Sequence, residues 1–155
     1  MRFVKESFID ASPERVFAFH EQADALKLLI PRWEHVKVIK SARISEIGSE
    51  AIVETTVLGP FTVRWVAKHT AYDPPRSFED IQLEGPFRHW RHRHLMESKN
   101  GGTWLRDEID YEPPLGFLGR LFAPLIVERR LERLFNYRHD VTREWSEGMM
   151  KTGQD

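Results

Sequence analysis

Three of the seven residues from Arg88 to His94 are histidines, interspersed with arginine and tryptophan. On a β-strand, alternate side chains point to opposite faces, so this segment divides into two sets. One set contains Trp90, His92, His94 and, further along, Met96; the other contains His89, Arg91 and Arg93. The tryptophan and the methionine mark the first set as facing the interior. The pattern therefore predicts two inward imidazoles and an outward, solvated basic stripe.

Two aspartates are placed to meet these imidazoles. If Asn100–Gly102 closes a tight hairpin, counting back along the next strand brings Asp107 opposite His94. On the preceding strand, Asp80 has the parity that brings it near His92. An inward carboxylate needs a partner that offsets its desolvation. We therefore expect two carboxylate–imidazole pairs that face the same interior.

Three interpretations of these pairs remain open. The first is a structural network, because buried polar groups must be hydrogen-bonded. The second is ligand contact, since a carboxylate holds a histidine in one tautomer and raises its pKa. The third is general acid–base catalysis, for which the candidate residues are His92, His94, Asp107 and Asp80. The first two are favoured over catalysis.

A metal site is a further interpretation of two histidines separated by one residue, with Asp107 or His69 as a third ligand. Strand histidines are more often paired with carboxylates than with metal. The sequence therefore favours a site without metal, and we expect no cofactor.

The composition excludes several classes of function. The chain has no cysteine, which rules out disulfides, zinc–thiolate centres, iron–sulfur clusters and cysteine nucleophiles. Its net charge of −1 gives no global attraction to nucleic acid, and the C-terminal arginines are interspersed with acidic residues that can pair with them. The charged N-terminus is unlike a signal peptide, and no stretch approaches the length of a membrane span. We expect a cytoplasmic protein.

The elements that position these residues follow from periodicity. A first strand is predicted over 2–10, then a short helix that begins at Pro13 after Ser12 as N-cap, and a second short helix over 23–30. Six further strands are predicted over 36–44, 51–58, 61–72, 77–83, 87–97 and 103–112. The links between them are too short for crossover helices, so consecutive strands must pair antiparallel. The pattern predicts an α+β fold with a curved seven-stranded antiparallel sheet.

The C-terminal region changes to helical periodicity. Apolar residues at spacings of three and four predict one long amphipathic helix over 115–147, with Pro124 at its start or at a kink. The predicted buried stripe is Leu118, Leu121, Phe122, Leu125, Leu131, Leu134, Phe135, Arg138, Val141 and Trp145. One helix covers only part of a curved sheet, so interior side chains either fill the middle or line a cavity of roughly 300–1,000 Å³. We expect a single ligand-binding domain over 1–147 and a flexible tail over 148–155.

This order of elements resembles the START-like superfamily, also called Bet v 1-like, SRPBCC or polyketide cyclase/dehydrase, over nearly the whole chain. Four local motifs carry the resemblance and are similar to a bacterial ligand-binding subgroup: Ser12–Phe17, Tyr72–Pro75, Gly85–His94 and Leu131–Arg138. The resemblance implies a helix-grip fold, in which the curved sheet wraps around the long C-terminal helix.

The resemblance also implies a function. It implies binding or transport of a small hydrophobic or aromatic molecule, such as a lipid, a quinone or a polyketide-like compound, in an internal cavity. The alternative is a cyclase, aromatase or dehydratase that moves protons with cavity histidines and aspartates, and we favour the noncatalytic role. The expected ligand-binding residues are Trp65, His69, Asp80, Gln82, Trp90, His92, His94, Met96, Asp107, Ile109 and Tyr111. We expect no bound metal, no nucleic-acid partner and no membrane span.

Overall fold

A computed structural model of the chain describes residues 1–58 and 61–148. The strands are β1 (Arg2–Ile9), β2 (Val36–Lys40), β3 (Glu50–Leu58), β4 (Phe61–Asp73), β5 (Ser77–Glu84), β6 (His89–Lys99) and β7 (Gly102–Glu112). The helices are α1 (Pro13–His20), α2 (Ala25–Leu28), α3 (Gly116–Ala123) and α4 (Arg129–Ser146), with a π-helical turn, Pro124–Glu128, between the last two. Residues 59–60, between the predicted strands 51–58 and 61–72, and residues 149–155 of the predicted tail lie outside the described residues.

The strands form one antiparallel sheet in the order β1-β7-β6-β5-β4-β3-β2. Strands β2 to β7 form a meander in which each strand pairs with the next one in the chain. β1 pairs with β7 and forms one edge of the sheet. Asn100 and Gly101, with φ angles of 56° and 80°, make the two-residue turn between β6 and β7. Two central residues with positive φ match the twist of the flanking strands, so this turn fixes the register. The predicted α+β helix-grip fold is confirmed.

The first helix begins as the sequence predicts. The Ser12 Oγ accepts a hydrogen bond from the Arg15 backbone N–H at 3.3 Å, and Pro13 occupies the first turn. The second helix is shorter than predicted, because only Ala25–Leu28 is helical. Pro31 has no backbone N–H to donate, so the helix cannot continue through it.

The C-terminal region is helical from Gly116 to Ser146, as predicted, and it contains an irregularity that begins at Pro124. α3 and α4 are separated by the π-helical turn Pro124–Glu128. Contrary to the predicted stripe, four of its residues are more than half exposed: Leu118 (58%), Leu121 (60%), Phe122 (53%) and Leu125 (54%). A π-helical turn holds an extra residue, so it rotates the apolar face of α3 relative to that of α4. The buried face of α4 is formed by Leu131, Phe135, His139, Val141, Thr142 and Ser146.

α4 packs against α1 and β1, and two apolar clusters include side chains from the sheet. One contains Phe3, Trp90, Ile109, Tyr111, Ala123, Leu131 and Phe135. The other contains Ile9, Val16, Phe17, Ile44, Phe78, Met96 and Leu105. Along β6, His92 and His94 lie between Trp90 and Met96, so the polar site sits between the two clusters. Among the described residues, no helix is both long enough and apolar enough to cross a membrane.

Candidate functional site

The sheet register brings the predicted histidines and aspartates together. His94 is paired with Asp107 across β6 and β7, and Asp80 is paired with His92 across β5 and β6. His92, His94 and Asp107 are 4%, 8% and 3% exposed. The predicted geometry of both pairs is therefore confirmed, whereas their contact with a ligand stays a prediction.

Asp107 is the centre of this cluster, because three imidazoles surround its carboxylate. His92 Nε2 lies 2.7 Å from Oδ1, and His139 Nε2 lies 2.6 Å from Oδ2. His94 Nδ1 also lies 2.7 Å from Oδ1 and forms an ion pair with it when the ring is protonated. His139 reaches the cluster from α4, and its Nδ1 lies 2.8 Å from the Ser7 Oγ on β1. The carboxylate thus ties the sheet to the helix.

Asp80 lies on the other side of the same two strand histidines. Its Oδ2 is 3.6 Å from His92 Nδ1 and 3.7 Å from His94 Nε2. His92 and His94 therefore each direct one ring nitrogen toward Asp107 and the other toward Asp80. Their rings are 3.8 Å apart, centre to centre.

The electrostatics of the cluster follow from its burial and its charges. Burial alone would lower the pKa of His94, but the charge of Asp107, contacts with both aspartates and the charge of Asp80 raise that pKa to about 9. Burial alone would raise the pKa of Asp107, but the charge of His94 and hydrogen bonds from the histidines hold it well below its usual range. Burial, followed by the charge of His94, lowers the pKa of His92. Without a metal ion, His94 is thus cationic and His92 neutral at pH 7.

Two further histidines lie around Phe78, beside the cluster. The Phe78 ring stacks on His94 at 3.9 Å, and its centre is 5.2 Å from that of His20 and 6.5 Å from that of His69. His20 Nε2 and His69 Nδ1 are buried and have no hydrogen-bond partner within the described part of the chain. Burial, then the charge of His94, lowers the pKa of His20 to about 3. The pKa of His69 is also lowered, chiefly by burial. Both imidazoles are neutral at pH 7.

Aromatic side chains flank the cluster on the side of Trp90. The Trp90 ring centre lies 5.0 Å from that of Trp65, 4.9 Å from that of Phe87 and 6.5 Å from that of His92. Phe87 also contacts Tyr111, at 5.7 Å. The Tyr111 hydroxyl donates to Glu128 Oε1 at 3.3 Å, and burial, then the charge of Glu128, raises the pKa of Tyr111 to about 12. An apolar wall thus adjoins the histidine cluster directly.

The remaining predicted ligand-binding residues lie in three different settings. Ile109 is fully buried in the cluster that includes Trp90 and Tyr111. Met96 belongs to the second apolar cluster, with Phe78. The Gln82 side chain donates from Nε2 to the Phe87 carbonyl at 2.7 Å, so it holds the connection between β5 and β6.

Among the predicted ligand-binding residues, only Tyr111 lines either of two surface clefts. One, of about 310 Å³, is lined by Met1, His89, Asp110, Tyr111, Glu112, Pro113 and Arg120. The other, of about 470 Å³, is lined by Trp33, Glu34, His35, Thr56, Arg129, Arg130 and Arg133. Neither is lined by Trp65, His69, Trp90, His92 or Met96. At the Trp90 end, the predicted lining is occupied by rings that contact one another.

Sequence reasoning missed the contributions of His20, His139 and Ser7. His139 follows Leu131 and Phe135 at intervals of four residues, which is the spacing of one helix face. That spacing was a usable signal for an inward histidine. His20 follows Val16 at the same interval of four, and Ser7 has the strand parity of Phe3 and Ile9, so both carried a signal for an inward position. Their proximity to the cluster arises from tertiary packing.

The outward side of β6 differs from the predicted solvated basic stripe. Arg93 lies 2.5 Å from Glu108, and Arg91 lies 2.6 Å from Glu79. Glu108 is only 5% exposed, because Arg2, Arg93 and Arg106 cover it. This face is therefore a network of ion pairs in which acidic side chains neutralise the arginines.

The chain matches one protein-family model over most of its length. A family model described as polyketide cyclase/dehydrase and lipid transport matches residues 9–135. A search of curated proteins found no match.

Several solved structures share the fold at low sequence identity. The crystal structure of TTHA0849 from Thermus thermophilus aligns with a TM-score of 0.74 and 18% identity, over 97% of this chain and 100% of that one. Ara h 8.0201 aligns with a TM-score of 0.62 and 14% identity, over 92% and 97% of the two chains. The di-domain ARO/CYC protein StfQ, from the steffimycin biosynthetic pathway, aligns with a TM-score of 0.73 and 13% identity, over 96% of this chain and 51% of that one.

Proposed function

The chain belongs to the polyketide cyclase/dehydrase and lipid transport family, and we propose that it binds one small, largely apolar or aromatic molecule beneath its curved sheet. The ligand's apolar body packs against the wall formed by Trp65, Phe87, Trp90 and Tyr111. Its polar group lies toward the histidines around Phe78. A lipid, a quinone and a polyketide-like compound all have this division into an apolar body and oxygen-containing groups.

The observation that carries the proposal is the pair of unpartnered nitrogens, His20 Nε2 and His69 Nδ1. A buried polar group without a partner costs roughly 1–3 kcal/mol, and a sequence under no functional demand removes that cost with an apolar residue. Both imidazoles are neutral, so an unprotonated nitrogen accepts a hydrogen bond. A ligand hydroxyl is the matching donor, and the neighbouring aromatic wall matches the ligand's body.

Binding is preferred to the cyclase-type alternative because the ring nitrogens of the cluster histidines face Asp80, Asp107 and Ser7. His92 and His94 each face one aspartate with each ring nitrogen, and His139 is held between Asp107 and Ser7. A general base must reach the proton that it abstracts. The nitrogens of these three histidines point to protein groups instead.

The substitution His69→Phe tests the proposal, because it separates ligand binding from stability. It removes the unpartnered Nδ1 together with a hydrogen bond between the ring and the Glu79 backbone, so we expect the free energy of unfolding to change by less than about 1.5 kcal/mol. Affinity for the ligand that co-purifies from the native host, identified by native mass spectrometry, should fall at least tenfold. Titration with 2-naphthol, which has an apolar aromatic body and one hydroxyl donor, followed by tryptophan fluorescence, supplies a second readout.

Two further variants serve as a matched pair. Trp90→Leu removes part of the proposed wall and should weaken binding, whereas Trp104→Leu lies on the outward side of β7, against Phe8, and should not. The proposal fails if the wild-type chain neither retains a small molecule nor binds 2-naphthol. It also fails if His69→Phe destabilises the fold while binding is unchanged.

A further inference from the structure

One carboxylate oxygen of Asp80 and one ring nitrogen each of His92 and His94 face one another, and each of these atoms can bind a metal ion. The hydrogen bond between His92 Nε2 and Asp107 Oδ1 fixes the N–H of the neutral His92 ring on that side, and His94 Nδ1 lies 2.7 Å from the same oxygen. The opposite nitrogens, His92 Nδ1 and His94 Nε2, both face Asp80 Oδ2. The lone pair of His92 Nδ1 then faces the Asp80 carboxylate with no donor between them, and a positive charge in this space relieves that contact.

A single proton does not satisfy the facing atoms of Asp80, His92 and His94. The distances from Asp80 Oδ2 to His92 Nδ1 and His94 Nε2 are 3.6 and 3.7 Å, longer than a hydrogen bond. A proton on His94 also leaves the His92 lone pair facing the carboxylate. By contrast, two ligand atoms of a tetrahedral ion with bonds of about 2.0–2.2 Å lie roughly 3.3–3.6 Å apart. The three donor atoms all lie within 4.8 Å of one another.

We propose that Asp80, His92 and His94 bind one first-row divalent metal ion, and that Zn²⁺ is the ion whose size and ligand preference the site matches. Two imidazole nitrogens and one carboxylate oxygen are a ligand set that zinc uses. Asp107 is the outer carboxylate that orients both imidazoles, and His139 and Ser7 hold Asp107 in turn.

Access agrees with this assignment. The Asp80 and His94 side chains are 14% and 11% exposed, compared with 5% for His92 and Asp107. Solvent therefore reaches the site from the Asp80 side, where an ion can enter and a fourth ligand can bind.

The sequence alone did not favour this site, because carboxylate pairing was the simpler role for strand histidines. The structure shows that such pairing with Asp107 uses only one nitrogen of each ring. The inference does not depend on the proposed small-molecule binding, since the ion is tested without an organic ligand.

The test is a zinc titration of the untagged, full-length chain after treatment with a chelator. We expect one Zn²⁺ per chain by isothermal titration calorimetry. Asp80→Asn keeps the shape of the side chain but removes its charge, and should weaken Zn²⁺ binding at least tenfold. His89→Gln alters an exposed histidine at the start of the same strand and should leave binding unchanged.

X-ray absorption of the wild-type zinc complex provides a readout that needs no variant. We expect two imidazole nitrogens and at least one oxygen around the ion. The proposal is overturned if the wild type binds no stoichiometric zinc, if Asp80→Asn binds as tightly as the wild type, or if the ion has fewer than two imidazole ligands. An equal loss in His89→Gln would assign the binding to surface histidines and overturn it as well.

Discussion

At the scale of single residues, Asp107 holds the interior together. It is 3% exposed and accepts contacts from histidines on β6 and α4. A buried charge is tolerated only when its partners offset its desolvation. His94 depends on the aspartate in turn, because Asp107 stabilises its positive charge.

Replacing Asp107 by alanine should lower the free energy of unfolding by about 3–5 kcal/mol, because it leaves a buried histidine charge without its partner. Urea denaturation of metal-free protein measures the change. Asp110→Ala is the control, since Asp110 is about one-third exposed and lies 3.9 Å from Arg2 and Arg93. An exposed pair of this kind contributes less than about 1 kcal/mol. Equal effects of the two substitutions would show that Asp107 has no special role.

His20 should make the stability of the fold sensitive to acid. Its pKa is 6.5 in the unfolded chain and about 3 in the folded one, so between these values the unfolded chain binds a proton that the folded chain does not. The free energy of unfolding therefore decreases as the pH falls below 6.5, by about 1.4 kcal/mol per pH unit from this group.

The substitution His20→Phe removes this contribution. Urea denaturation from pH 7 to pH 4.5 should show a smaller loss of stability for His20→Phe than for the wild type, whereas His89→Gln should lose stability in parallel with the wild type. Parallel curves for His20→Phe and the wild type would contradict the assignment of a neutral, buried His20.

At the scale of elements, the two parts of the C-terminal region behave differently. α4 buries Phe135 and His139 against the sheet, whereas α3 buries only Ala123. Leu115, Phe117 and Ile126 are 76%, 78% and 60% exposed. The π-helical turn rotates the apolar face of α3 away from the core, so α3 adds little to the packing.

Matched phenylalanine substitutions measure this difference. Phe135→Ala should lower the free energy of unfolding by about 3–5 kcal/mol, because the side chain is 1% exposed. Phe117→Ala removes a side chain that is 78% exposed and should change it by less than about 0.5 kcal/mol. Thermal or urea unfolding provides both values. A large effect at Phe117 would mean that α3 packs against the body of the protein.

At the scale of the whole molecule, the site is assembled from elements that are far apart in the chain. Asp80, His92, His94 and Asp107 come from three neighbouring strands, Ser7 comes from β1, and His20 and His139 come from the helices. The two apolar clusters lie on either side of this polar group. The site therefore exists only when the sheet, α1 and α4 have all docked.

The sequence by itself determined the sheet and much of the site. Strand alternation put His92, His94 and Asp107 on one face, and the Asn100-Gly101 turn fixed the pairing of His94 with Asp107, because both rules act over a few residues. Short links between strands determined the antiparallel order for the same reason.

The tertiary structure decided the features that depend on contacts between elements far apart in the chain. The sequence did not reveal that His139 binds Asp107, because that contact needs the angle at which α4 docks on the sheet. It did not reveal that α3 turns its leucines outward, because apolar spacing gives the periodicity of a helix but not its rotation after a π-helical turn. Nor did it show the 3.6 and 3.7 Å separations around Asp80, because ring orientation is set by packing from both sides of the sheet's interior.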